Sequence, residues 1–104
     1  MQPDAIDFAS LPWQPLAAGA RCKAVRLGER QLRLLELTPE FVEPDWCCRG
    51  HTGIVLEGTL EIDFRGRVVR YPQGCGLSIA AGGDTAHKAR AVTALVRLFL
   101  VEDA

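Results

Sequence analysis

An excess of charge of either sign is missing from this sequence. Twelve Lys and Arg stand against thirteen Asp and Glu, a net charge of −1 with the histidines neutral, and the pI is near 6.1. Aromatic residues are scarce as well, at 7% and scattered. A protein that grips phosphate backbones carries a basic surplus with aromatics set among it, so no nucleic-acid partner is expected. No apolar run approaches the roughly 20 residues that a membrane span needs. The opening stretch MQPDAIDFAS is acidic and lacks a charged-then-apolar leader, so no membrane partner and a cytoplasmic address are expected. With 104 residues the chain is too short for two domains or a (β/α)₈ barrel. It has no internal repeat, linker, low-complexity tract or long amphipathic helical pattern. What remains, 48% hydrophobic and 24% charged, is the balance of an ordinary folded domain.

Four cysteines, Cys22, Cys47, Cys48 and Cys75, are present. In a reducing compartment they are expected as free thiols. Cys22 and Cys75 have apolar neighbours and read as small core side chains.

The pattern that is present is one of short strands. Residues 1–20, with Pro3, Pro12, Pro15 and a run of small residues, read as an irregular lead-in with room for one edge strand, docked by Trp13. Residues 21–104 read as one barrel domain. Strands are predicted near Arg21–Leu27, Gln31–Leu37, Phe41–Cys48, His51–Leu56, Thr59–Phe64, Val68–Tyr71, Gly76–Ala80, Ala86–Ala91 and Thr93–Glu102. The clearest period of two is Thr59–Phe64, where Leu60, Ile62 and Phe64 face inward. Glu57-Gly58 and Arg65-Gly66 supply turns on either side. Ala94–Val101 is apolar on both parities apart from Arg97, as in a strand central to a sheet. Short strands, frequent turns and no helical crossovers predict an antiparallel all-β sandwich or barrel.

The chemistry-bearing residues are few. The two histidines, His51 and His87, each follow a small-residue turn at or near a strand start, and an antiparallel barrel can bring such positions together. The run Asp45-Trp-Cys-Cys-Arg-Gly-His leads into the first of them. If extended, it turns Asp45 and Cys47 to one face, with Trp46 and Cys48 to the other. A thiolate, a carboxylate and two imidazoles suit a tetrahedral zinc or another first-row divalent ion. The competing reading makes Cys47 and Cys48 buried hydrophobes and Asp45 a turn residue after Pro44. Arg49, Lys88 and Arg90 lie beside these positions, either as solvated charges or as groups that greet a carboxylate or sugar acid.

From Asp45 to Ala91 the sequence resembles the paired motifs of the cupin superfamily. Ile54-Val55-Leu56-Glu57-Gly58 reproduces the hairpin run that ends the first motif, and counting back seven from Gly58 places His51 where cupins carry a metal-binding Glu. The His-x-His pair of the family falls on Asp45 and Cys47, and the opening glycine on Pro39. The second motif matches at Gly74 and Gly82, has Ala80 in place of proline, and meets His87 two residues late. Ala91 stands where the motif ends in Asn. The resemblance implies an antiparallel double-stranded β-helix, a jelly-roll barrel, with a metal at Asp45, Cys47, His51 and His87. It implies a divalent transition metal, zinc first and then iron or nickel, or no metal at all. The expected function is binding of a metal or a small organic ligand in the barrel mouth. The alternatives are a metal-dependent oxygenase, isomerase or lyase, and a metal-free dimeric barrel. A small-molecule ligand and a homodimer partner are expected.

Overall fold

The computed structural model describes residues 4–104; residues 1–3 of the lead-in lie outside the described residues. Nine strands follow in chain order: β1 (Gln14–Ala17), β2 (Ala20–Leu27), β3 (Arg30–Leu37), β4 (His51–Glu57), β5 (Leu60–Asp63), β6 (Val68–Tyr71), β7 (Gly76–Ile79), β8 (Lys88–Ala91) and β9 (Val96–Asp103). They form a six-stranded sheet in the order β1-β2-β3-β9-β4-β7 and a three-stranded sheet in the order β6-β5-β8. All pairings within both sheets are antiparallel. This is the expected jelly-roll barrel. No helix among the described residues is long and apolar enough to cross a membrane.

The core fills the space between the two sheets. Leu60 and Ile62 on β5 are 1% and 2% exposed, as the alternation Leu-Glu-Ile-Asp requires, and they meet Leu35, Leu37, Val55, Leu77, Leu98 and Leu100 of the larger sheet. In β9 the register resolves what the sequence hides. Val96, Leu98, Leu100 and Glu102 are buried, whereas Arg97, Phe99 and Val101 face the outer side of the sheet. Gly53 lets β4 lie tightly on β9, because a Cβ there would fall 1.9 Å from the Phe99 carbonyl oxygen.

The lead-in is partly strand and partly cover. Edge strand β1 pairs with β2. Ahead of it, the Phe8 ring meets Phe99 edge-on at 6.0 Å on the outer face, and Trp13 docks against Arg21 and Lys23. The Lys23 ammonium is buried there and donates to the Phe8 carbonyl at 2.8 Å.

The segment Phe41–Cys48 is not a strand. Pro39 and Pro44 lack the N–H that a ladder needs and Asp45 sits in a bend, so only Cys47 makes a bridge, to His87. Trp46 is 37% exposed, with Lys88 and Arg65 over its ring. All four cysteines are free.

Candidate metal centre

His51 opens β4, one step past the Thr52–Val101 pairing, which sets it beside Glu102 of β9. Its Nδ1 is hydrogen-bonded to Glu102 Oε2. Arg33 of β3 grips the same carboxylate with both prongs, Nε to Oε1 at 2.6 Å and Nη2 to Oε2 at 3.0 Å. Burial by itself raises the Glu102 pKa, but the hydrogen bonds from His51 and Arg33 outweigh it and hold the carboxyl at about 2. Burial likewise opposes the charge on Arg33, and the Glu102 carboxylate overcomes it, leaving that guanidinium raised.

An ionised carboxylate accepts and cannot donate, so Nδ1 of His51 carries the proton. In the neutral form of the ring the lone pair is at Nε2, and this atom lies 3.8 Å from the Cys47 Sγ. The same logic fixes His87, whose Nδ1 is 2.9 Å from the Thr85 carbonyl oxygen, again an acceptor only. In the neutral form of this ring the acceptor is likewise Nε2. A short 3₁₀ turn, Gly83–Thr85, positions that carbonyl, and the Thr85 hydroxyl ties the turn to the Ala80 carbonyl.

Cys47 and His87 reach each other by backbone. Cys47 N donates to His87 O at 2.8 Å, and His87 N donates back to Cys47 O at 3.0 Å. One residue on, Gly82 N donates to Cys48 O at 2.9 Å. Ligand-type atoms of Cys47, His51 and His87 all lie within 4.8 Å of one another, and the two imidazole rings are edge-on with centroids 5.1 Å apart. His87 is 3% exposed and packs against Phe64.

Three of the four residues singled out in the sequence thus converge. Asp45 does not; it is exposed in the bend after Pro44 and stands outside the group. Glu102 and Arg33 were not singled out. The alternation Val96, Leu98, Leu100, Glu102 points the acid inward, but apolar Phe99 and Val101 on the other parity mask that signal.

The donor set fits a metal. For tetrahedral zinc, bonds of about 2.3 Å to sulfur and 2.0–2.1 Å to nitrogen put S and N about 3.6 Å apart. The Sγ–Nε2 distance of 3.8 Å is within a few tenths of that. Histidine ligands characteristically donate their other N–H to a carboxylate or a carbonyl, as both imidazoles do here. The three side chains line one end of a cavity of about 330 Å³ between the sheets, walled chiefly by leucines of both.

No protein-family model matches the chain. None of the curated proteins matches it. Solved structures do. A cupin-2 domain protein from Shewanella frigidimarina is 25% identical with a TM-score of 0.64, over 80% of this chain and 79% of that one. KdgF from Halomonas sp. is 19% identical with a TM-score of 0.74, over 92% and 91%. An iron(II) form of HppE is 13% identical with a TM-score of 0.73, over 98% of this chain and 62% of that longer one.

Proposed function

We propose, on the premise that the chain folds as a small cupin, that it binds a divalent transition metal through Cys47, His51 and His87 and takes a small organic ligand in the cavity beside it. One observation carries this reading: both imidazoles are anchored at Nδ1, and ligand-type atoms of the two rings and the Cys47 thiol lie within 4.8 Å of one another. The Cys-His-His set favours zinc, with iron or nickel next. HppE, a neighbour of the same fold, has an iron(II) form. Three protein donors leave a fourth position for water or an oxygen of the ligand, the arrangement of catalytic rather than structural zinc sites. A metal held there would supply Lewis acidity toward that oxygen. Glu102 holds the His51 tautomer, Arg33 holds Glu102, and the leucine walls restrict water.

The test is elemental analysis of protein purified without a histidine tag. About one metal per chain is expected; Cys47→Ala and His87→Ala each remove it, and Cys48→Ala, at an exposed thiol outside the group, keeps it. Unchanged metal content in both site variants refutes the assignment.

A second reading rests on the chain Cys47–His51–Glu102. A thiol 3.8 Å from an imidazole that a carboxylate orients is the arrangement of a nucleophile with its base. Metal-free protein then gives a burst of about one p-nitrophenolate per chain with p-nitrophenyl acetate. Loss of the burst in Cys47→Ala, with retention in Cys48→Ala, supports it; no burst rejects it.

A further inference from the structure

We infer that the cavity beside Cys47, His51 and His87 takes a monocarboxylate with an apolar body, and that Arg49 is the residue that receives the carboxylate. The inference rests on the reading of that cavity as the ligand end of the candidate metal centre. The argument begins with the walls. Leu35, Leu60, Ile62, Leu77, Leu98 and Leu100 are among its walls and carry no hydrogen-bonding side chain. Apart from Cys47 and the two histidines, its polar lining is Arg33, Glu43 and Arg49.

The three charged side chains differ in what they have left to offer. The Arg33 guanidinium spends its fork on the two Glu102 oxygens. Glu43 is engaged through Oε1, which accepts from the Ala89 amide at 2.8 Å. Arg49 makes no ion pair or side-chain hydrogen bond among the described residues. It is exposed while also lining the cavity, which places it at the open end. The cavity therefore has an apolar interior and an unpaired guanidinium at its rim, whose planar fork matches a carboxylate.

Size and charge narrow the class further. One water occupies about 30 Å³ of liquid, so a cavity of about 330 Å³ holds on the order of ten heavy atoms. A doubly charged head group is disfavoured, because a single guanidinium neutralises one charge and the Glu43 carboxylate lines the same cavity. A neutral ligand leaves Arg49 without a partner and gains nothing from it.

The experiment is calorimetric titration of chelator-treated, metal-free protein with hydrocinnamate, hexanoate and octanoate. Hydrocinnamide serves as the neutral analogue and phenylphosphonate as the dianion. Removing metal first ensures that coordination of the carboxylate is not what is measured. At least one monocarboxylate binds, the amide binds about tenfold or more weakly, and Arg49→Gln lowers carboxylate affinity by a similar factor, with partial recovery in Arg49→Lys. Equal binding of acid and amide, tighter binding of phenylphosphonate, unchanged affinity in Arg49→Gln, or no binding of any of the three acids overturns the inference. Metal content, measured in parallel on untreated Arg49→Gln protein, stays at the wild-type level. Loss of the ligand preference with metal retained is thus a failure of this inference alone, and absence of metal from wild type with the preference intact is a failure of the metal reading alone.

Discussion

Glu102 and Glu36 are both buried on the six-stranded sheet, at 9% and 4% exposure, yet they lie on opposite faces and do different work. Glu36 sits on the outer face. Arg97 across the strand pair donates to its Oε2 and Arg21 to its Oε1, at 2.9 and 2.8 Å through Nε. Burial raises the Glu36 pKa, and these two guanidiniums more than reverse it. Glu102 faces inward and has one guanidinium and one imidazole. A guanidinium ends the chain of polarisation, since it has no second state to pass on. An imidazole held at one nitrogen presents the other, and that nitrogen points into the cavity. Burial and a depressed carboxyl are therefore common to a structural cluster and a candidate site; the second partner, guanidinium or imidazole, separates them.

The largest expected effect is on the strand that connects the inward acid to the site. Gly53→Ala drives a methyl group into the Phe99 carbonyl, separating β4 from β9 and His51 from Glu102. A loss on the order of 3 kcal/mol or more is expected. It is seen as a fall in Tm of more than about 10 °C, together with lost metal.

Acid titration separates the two carboxylates next. The Glu102 pKa drops from an ordinary 4.5 to about 2 on folding. Its contribution is therefore complete above pH 4.5 and is lost as the pH falls toward 2, by about 3 kcal/mol. Denaturant melts of metal-free protein across that range fall less steeply in Glu102→Gln than in wild type. The flattening is smaller in Glu36→Gln, whose carboxyl is lowered in the same direction. Equal slopes in all three proteins contradict this.

Metal affinity sharpens the contrast. Glu102→Gln loosens the His51 tautomer and raises the zinc Kd about 10–100-fold. Glu36→Gln leaves it within about twofold, because its partners Arg21 and Arg97 face away from the cavity. The smallest effect belongs to the outer cluster's most exposed member. The Arg21 side chain is 51% exposed and Glu36 keeps Arg97 without it, so Arg21→Ala costs less than about 1 kcal/mol.

Much of this was legible in the sequence where side-chain alternation is strict. Leu60 and Ile62 declared the inner face of β5, and the hairpin run Ile54–Gly58 placed His51. Cys47 and His87 stand out in the sequence because metal-ligating residue types are scarce here. Asp45 falls outside the group because its alignment with Cys47 presumes an extended segment, which Pro39 and Pro44 prevent. Glu102 was hidden for the opposite reason. The outer face of β9 is itself covered, by Phe8 over Phe99, so apolar residues occupy both parities and the acid's direction is not marked. Arg33 and the Thr85 carbonyl depend on cross-strand register and a turn, which linear spacing does not encode.

The reciprocal pair of backbone bonds between Cys47 and His87 ties together two donors that lie forty residues apart in a stretch otherwise short of ladder pairing. It acts as a latch with only two bolts. Solvent deuterium entering at those two amides reports how often the two strands of chain part, so the exchange lifetime of the Cys47 N–H becomes a clock for local opening beside the candidate site.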